Sequence, residues 1–252
     1  MSFDVTADAY TRFMGQYSEP LAQGFADFAG IRAGQRVVDV GCGAGALTAE
    51  LVARVGPANV AAIDPSEPLL AAASARFPDL DVRLGSAEQL PYADDSFDAA
   101  LAQLVVHFMT DPVAGLAEMA RVVVPGGVVA ACVWDHAGGD GPLSTFWEAV
   151  KDVDPSAPDE SGLAGAREGH LAELGAAAGL RDIESERLSV SVAFPTLADW
   201  WEPYTLGVGP AGAYVAGLDD TAREGLLERC AELLPAPPFT IVASAWSMRC
   251  RT

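Results

Sequence analysis

The sequence predicts an α/β protein built on a mostly parallel sheet with helices on both faces. Three observations predict it. Apolar runs at 36–41, 60–64, 97–101 and 128–134 recur with helix-forming stretches between them, the spacing of strand–helix–strand units. The first run ends in a glycine-rich turn, DVGCGAG, where a strand would pass into a helix. The last third carries two long alternating segments, 181–194 and 239–250, with the period of two expected of strands.

Each element has a local reason. Residues 36–41 (RVVDVG) form a continuous apolar run, the pattern of a strand buried on both faces. Helix formers follow from Ala44 to Arg54, with Leu47, Leu51 and Val55 on one side. VAAID at 60–64 is a second strand, and an Ala-rich helix covers Glu67 to Arg76. DVRLG at 81–85 makes a third strand, and Phe97 to Leu101 a fourth after the turn-rich ADD. Asp111 caps a helix that starts at Pro112, with Leu116, Met119, Ala120 and Val123 as its buried stripe. PGG at 125–127 precedes the fifth strand, 128–134.

Beyond that point the texture changes. Residues 135–165 are rich in Gly, Pro, Asp and Ser, as in a loop or lid, with a short helix around Phe146 to Val150. A helix from Arg167 to Ala178 leads into the strand at 181–194. At least two helices separate it from the strand at 239–250. One contains ADWWEPY (198–204); the other runs from Asp219 to Leu234, with Leu226, Leu227, Cys230, Leu233 and Leu234 on one face.

Composition narrows the function. The 252 residues hold 15 Lys and Arg against 35 Asp and Glu, a formal charge of −20, and Lys151 is the single lysine. Binding a phosphate backbone needs clustered cations, so nucleic acid is excluded as a partner. An anionic membrane surface would repel the chain as well. Cys42, Cys132, Cys230 and Cys250 form no CxxC pair, and the three histidines show no i,i+4 pairing, so no dedicated metal site is expected. The longest apolar stretch, Val122 to Trp134, is too short to span a bilayer. The N-terminus lacks a basic-then-apolar signal layout, and a soluble cytoplasmic protein is the expectation.

The glycine turn carries the chemistry. Gly41, Gly43 and Ala46 match GxGxx(G/A), whose glycines let a ligand approach the backbone at a helix start. Asp64 closes the second strand roughly 20 residues later, where a carboxylate can accept both hydroxyls of a ribose. Together they point to an adenosine-type ligand. A nicotinamide cofactor and S-adenosylmethionine both satisfy this pattern.

Four segments resemble one family. DVGCGAG, with Asp39 two residues before the first glycine, resembles motif I of the class I S-adenosylmethionine-dependent methyltransferases. VAAIDPSEPLL resembles their second motif, GSAEQLPYADDSFDAALAQLVVHF their third and fourth, and EMARVVVPGG the segment entering strand five. The similarity is collinear from Arg36 to Val133 and is strongest to the ubiquinone and menaquinone C-methyltransferases and their small-molecule relatives. It implies a Rossmann-like, seven-stranded, mostly parallel sheet whose last two strands form a reversed hairpin, with a helical cap. The single domain expected over 1–252 then has a core of about 30–134, 166–194 and 238–252. An N-terminal lid covers 1–29, and the cap comprises 135–165 and 195–237.

The resemblance also implies a cofactor site, for S-adenosylmethionine with S-adenosylhomocysteine as product. Gly41, Cys42 and Gly43 would lie against the methionine part, with Asp39 supporting its ammonium end. Asp64 would hold the ribose, Pro65 would lie by the adenine, and Ala87 and Glu88 would line the adenine end. Ser86 stands where the family often has an aspartate that accepts from the adenine amino group; serine can accept the same bond with less charge. Gln103 would face the methionyl group. YTRFMGQY resembles the segment that folds over the cofactor, which points to Tyr10, Met14 and Tyr17.

Two rival readings are an NAD-dependent oxidoreductase and a non-catalytic S-adenosylmethionine-binding protein. A short-chain oxidoreductase needs Tyr-x-x-x-Lys, but the residue four before Lys151 is Trp147. Nothing in the sequence points positively to the non-catalytic protein. Methyl transfer from a sulfonium needs alignment and a dry site, with no obligatory nucleophile or metal. A hydroxyl or acidic-carbon acceptor would gain from a general base, for which His107 after strand four and His136 after strand five are the candidates. Trp147, Trp200, Trp201 and Tyr204 either line an acceptor pocket or form the core of the cap; lining would imply an apolar or aromatic small-molecule acceptor.

Overall fold

β1 (Val37–Val40) is buried along its whole length and pairs in parallel with β2 (Val60–Asp64) on one side and β4 (Phe97–Gln103) on the other. The computed structural model describes residues 7–252. The segment 1–29, expected to be an N-terminal lid, is described from Ala7 onward, and its first six residues lie outside the described residues. β3 (Asp81–Leu84), β5 (Val123–Trp134), β6 (Arg181–Phe194) and β7 (Phe239–Arg251) complete a seven-stranded sheet in the order β3-β2-β1-β4-β5-β7-β6. β7 is antiparallel to both neighbours, β5 and β6. This is the Rossmann-like sheet with its reversed final hairpin.

Helices cover both faces because the strands are apolar on both. One face receives α2 (Gln16–Phe28), α3 (Ala46–Val55) and the cap; the other receives α5 (Pro112–Val122) and α7 (His170–Ala177). α3 buries Leu47, Leu51 and Val55, each contributing roughly 1.5–3 kcal/mol of hydrophobic stabilisation. Asp111 caps α5 as expected, accepting from the Ala114 N–H at 3.0 Å. The α5 stripe, however, is Leu116, Met119 and Val122, because Val123 already belongs to β5.

Several boundaries differ from expectation for identifiable reasons. β5 begins at Val123, and the PGG sequence lies within it rather than before it. Val123 pairs with Phe97, the register shifts at Asp98, and a Cβ on Gly127 would sit 2.6 Å from the Asp98 carbonyl oxygen. Glycine there allows the two strands to close up, so it preserves the strand instead of ending it. α6 (Ser144–Val153) is longer than the stretch around Phe146 to Val150. α7 begins only at His170, after Gly169 in the left-handed conformation.

The cap contains α8 (Leu197–Trp201), a 3-10 turn over Glu202–Leu206, α9 (Gly209–Ala216) and α10 (Asp220–Leu233). α9 is a helix the sequence pattern did not single out. On α10 only Leu226 and Cys230 are buried, while Leu227 and Leu233 are half-buried at its margin. From Ala7 to Phe28 the described N-terminal segment is continuously helical. α1 (Ala7–Tyr10) runs through a π-turn over Thr11–Gly15 into α2, which buries Tyr17, Leu21 and Phe25.

Candidate functional site

The strand order reverses direction between β1 and β4, and ligands of α/β sheets bind beyond the carboxyl ends of strands at that point. The glycine loop leaves β1 there, with Gly41, Gly43 and Gly45 at φ of 76°, 54° and 88°. Gly41 is required twice over: a side chain is strained at that φ, and its Cβ would lie 2.5 Å from both γ-carbons of Val105. The amides of Gly41 and Cys42 donate to the Ile63 carbonyl, tying the loop to β2.

A cleft of about 460 Å³, open solvent at its mouth included, lies over this loop. Six of the expected cofactor residues line it together: Tyr10, Asp39, Gly41, Cys42, Gly43 and Gln103. Its polar wall is rich in acceptors. Asp39 is buried and accepts from the Thr48 hydroxyl at 2.6 Å. The Gln103 Nε2 donates to the Ser18 carbonyl at 2.9 Å, which leaves Gln103 Oε1 buried with no partner; the Ser18 hydroxyl is likewise unpaired. Such a set suits a cationic group such as an ammonium. Arg76, ion-paired with Glu19 at 3.3 Å, stands in the same wall and supplies the opposite charge.

Asp64 is placed differently from a plain ribose ligand. It is buried behind the loop, with Oδ2 accepting from the Gly43 N–H and Oδ1 from the Ser66 N–H, both at 2.8 Å. Burial raises its pKa against those two bonds. Tyr10 lies over Gly43, and burial, then the Asp64 charge, push its hydroxyl up to about 12, so it stays protonated. Pro65 is exposed at the end of β2.

The remaining expected cofactor residues lie outside this wall. Tyr17 is 3% exposed and packs edge-on to Trp134 at 6.3 Å, in the core. Ala87 is buried among the side chains under α5. Glu88 accepts from the amides of Thr110 and Asp111, and these bonds with that of Ser86 hold its pKa low despite partial burial. Ser86 and Glu88 thus tie one loop to another beside the sheet edge.

A second cleft of about 460 Å³ adjoins the first and shares Tyr10 and Leu104 with it. Leu104, just past β4, has a φ of 62°, a left-handed conformation that costs a branched residue roughly 1–2 kcal/mol. Met14 lies in this second wall, as do His107 and His136. The two imidazoles meet because β4 and β5 are parallel neighbours, with Gln103 opposite Cys132, so both histidines follow adjacent strand ends. Their ring centroids are 5.9 Å apart. Burial, then the neighbouring His136, lowers the pKa of His107 well below its usual value. Burial lowers His136 to about 4 against the charges of Asp135 and Asp159. Both are neutral at pH 7.

The four cap aromatics are not in this wall. Trp200, Trp201 and Tyr204 are buried, with Tyr204 stacked on Phe146 at 4.6 Å and 4.8 Å from Trp200. They form the core of the cap, which supports the cleft from behind. Trp147 donates its indole N–H to Glu160 at 2.9 Å, and it is Glu160 that reaches the cleft. The apolar lining comes instead from Phe13, Phe108, Trp134, Leu143 and Val208. Burial pushes Glu160 up to about 7. Among the described residues, no group of three or more His, Cys, Asp or Glu could hold a metal, and no helix is long and apolar enough to cross a membrane.

Residues 38–131 match the family described as a methyltransferase domain. The chain is 37% identical over 134 residues to the demethylmenaquinone methyltransferase of Renibacterium salmoninarum, a match covering 53% of this chain and 54% of that protein. The chain thus spans about half the length of the curated relatives it matches. Its fold is that of the YcgJ protein of Bacillus subtilis, at 18% identity and a TM-score of 0.60 over 92% of this chain and 98% of the other. It is also that of a phosphoethanolamine N-methyltransferase of Haemonchus contortus solved with S-adenosyl-L-methionine. That pair has 18% identity and a TM-score of 0.61, over 98% of this chain and 56% of the other. The match holds the glycine loop, Asp64, β4 and β5 as far as Ala131, but neither His136 nor the N-terminal helices and the cap.

The burial of Asp39 makes stability depend on pH. Burial pushes Asp39 from its usual 3.8 up to about 7. Between those values the folded state holds a proton that the unfolded state has lost, so stability falls as pH rises from about 4 to about 7 and stays lower above. Asp39→Asn removes this dependence. In thermal unfolding of the ligand-free protein, the variant is expected to lose less stability than wild type across that window. Parallel pH profiles would return Asp39 to an ordinary pKa.

Proposed function

We propose that this chain is an S-adenosylmethionine-dependent methyltransferase acting on a small, apolar or aromatic acceptor. The observation that carries the reading is the pair of adjoining clefts. One is acceptor-rich and floored by the glycine loop; the other is apolar, and the two meet at Tyr10 and Leu104. The curated relatives that act on demethylmenaquinone support a small-molecule acceptor.

In this reading Gly41, Cys42 and Gly43 floor the methionine end of the cofactor, and the Asp39 carboxylate and Gln103 Oε1 receive its ammonium. Arg76 lies on the side suited to the carboxylate. Asp64 secures the ribose end by holding Gly43, with Tyr10 as the cover. The bound cofactor supplies a methyl group activated on a sulfonium. The protein aligns the acceptor and excludes water through Phe13, Met14, Phe108 and Leu143. His107 and His136, held neutral, can each accept a hydrogen bond or a proton from the acceptor, but their lowered pKa makes them weak bases. Positioning is the larger part of their role.

Oxidoreductase chemistry finds no support, since Lys151 bonds to the Ala157 carbonyl and pairs with Asp159 at 3.2 Å within the cap region. Incubation with methyl-labelled S-adenosylmethionine and a panel of small ring acceptors tests the activity. Label should move to an acceptor with formation of S-adenosylhomocysteine. Cofactor binding with no transfer to any acceptor would favour a non-catalytic binding protein.

A further inference from the structure

Methyl transfer to an uncharged X–H acceptor breaks one S–CH3 bond, forms one X–CH3 bond and sets one proton free. The electron pair of the S–C bond stays on sulfur, and the pair of the X–H bond makes the new X–C bond. A cleft that excludes water therefore needs a group to take that proton and a way for it to leave. His107 and His136 are poorly suited to hold it, since burial leaves both weakly basic. Among the described residues of the second cleft's wall, Glu160 carries the single carboxyl.

A groove of about 760 Å³, open solvent included, lies against the second cleft and shares two residues with it, His136 and Glu160. Glu160 is thus a wall of both an apolar cavity and a solvent-filled one. Its Oε2 receives the Trp147 indole N–H at 2.9 Å, whereas Oε1 has no hydrogen bond and is not enclosed. α6 fixes this arrangement. Trp147 and Lys151 stand four residues apart on one face of the helix and hold adjacent loop residues, Glu160 through the indole and Asp159 through an ion pair of 3.2 Å. Lys151 also donates to the Ala157 carbonyl at 2.6 Å. The lysine is committed to Asp159, and among the described residues no cation pairs with Glu160.

We propose that Glu160 is the proton outlet of the second cleft, taking the proton that an uncharged acceptor loses and passing it to water in the outer groove. The proposal rests on the reading of that cleft as the acceptor site. The X–H proton moves to Glu160 Oε1 as X receives the methyl group; the carboxyl then gives the proton to water and is a carboxylate again. Trp147 is a positioning residue, since its bond occupies one oxygen and leaves the other for the proton. The charged and titratable groups around Glu160 are Asp159 beside it, Glu148 and Lys151 on α6, His136 after β5, and the protonated Tyr204 of the cap. Burial first, then the Asp159 charge, raise the carboxyl to about 7 against the Trp147 bond, so at neutral pH it can both accept a proton and release it.

Two measurements test the route. In the wild-type full chain carrying carbon-13 at its glutamate carboxyls, the Glu160 signal, assigned through its backbone correlations, should titrate at about 7. A midpoint below about 6, toward the ordinary carboxyl range, would overturn the proposal. Methyl-labelled S-adenosylmethionine is then offered two sets of small rings. One set must lose a proton (p-cresol, catechol, indole); the other has none to lose at the receiving atom (4-methylpyridine, N,N-dimethylaniline). Wild-type transfer to the first set should rise with pH through the carboxyl's midpoint and level off above it, because the carboxylate is the form that accepts. Glu160→Gln should abolish that rise and slow the first set about a hundredfold, the low end for a positioned base, with a loss at least about tenfold smaller for the second set. Trp147→Phe removes the bond that lowers the carboxyl's pKa and should move the rise to higher pH. Equal losses in both sets, an unmoved rise in Glu160→Gln, or label confined to the proton-free rings would overturn the route and leave the methyltransferase reading standing. Label on no ring would overturn that reading, and the route with it.

Discussion

Trp200→Ala is expected to cost about 3–5 kcal/mol of stability, the range for removing a large aromatic side chain from a packed core. Trp200 is 1% exposed, with its ring 4.8 Å from Tyr204 and 6.4 Å from Trp201. Tyr204 in turn meets Phe13 edge-on at 5.3 Å, and Phe13 lines the second cleft. The loss therefore reaches from the cap into the acceptor wall through two ring contacts. Denaturant unfolding measures it. A loss below about 1 kcal/mol would remove Trp200 from the core, since well-packed aromatic truncations do not come so cheaply.

Asp64→Ala is expected to weaken cofactor binding by about 1.5–3 kcal/mol, the value of hydrogen bonds to a charged group, or roughly tenfold to more than a hundredfold in Kd. The structure adds a second reason to the one drawn from the ribose. The carboxylate receives the Gly43 and Ser66 amides, so its removal also unties the floor of the cleft. Asp64→Asn keeps one acceptor oxygen for those amides and should fall between wild type and the alanine variant. Calorimetric titration with S-adenosylhomocysteine reads both. Affinity unchanged in Asp64→Ala would place the ribose elsewhere.

The parallel half of the sheet was legible in the sequence because strands buried on both faces leave continuous apolar runs, as at 37–40 and 60–64. PGG has the sequence pattern of a strand stop, whereas Gly127 lets β5 approach Asp98. α9 leaves no clear sequence signal because Gly209, Pro210 and Gly212 are poor helix formers and its apolar residues show little facial bias. Tertiary packing holds it.

At the site, what lies on a strand end was readable and what the helices bring was not. Asp39, Gly41, Gly43 and Gln103 follow from the ends of β1 and β4. Tyr10, Met14 and Tyr17 belong to one motif, yet Tyr10 stands between the two clefts, Met14 faces the second and Tyr17 packs in the core, because the π-turn at Thr11–Gly15 changes the helical phase between them. Glu160 carried no local signal. Its burial depends on an indole N–H thirteen residues earlier in the chain. The meeting of His107 and His136 could have been found from the parallel adjacency of strands four and five alone.

The proposed activity stands or falls with S-adenosylmethionine binding in the glycine-loop cleft. Calorimetric titration of the full chain with S-adenosylmethionine, S-adenosylhomocysteine and NAD tests it most directly. Saturable binding of the first two and no response to NAD is the predicted result. Tight NAD binding with no response to either sulfur compound would make the cleft a dinucleotide site instead.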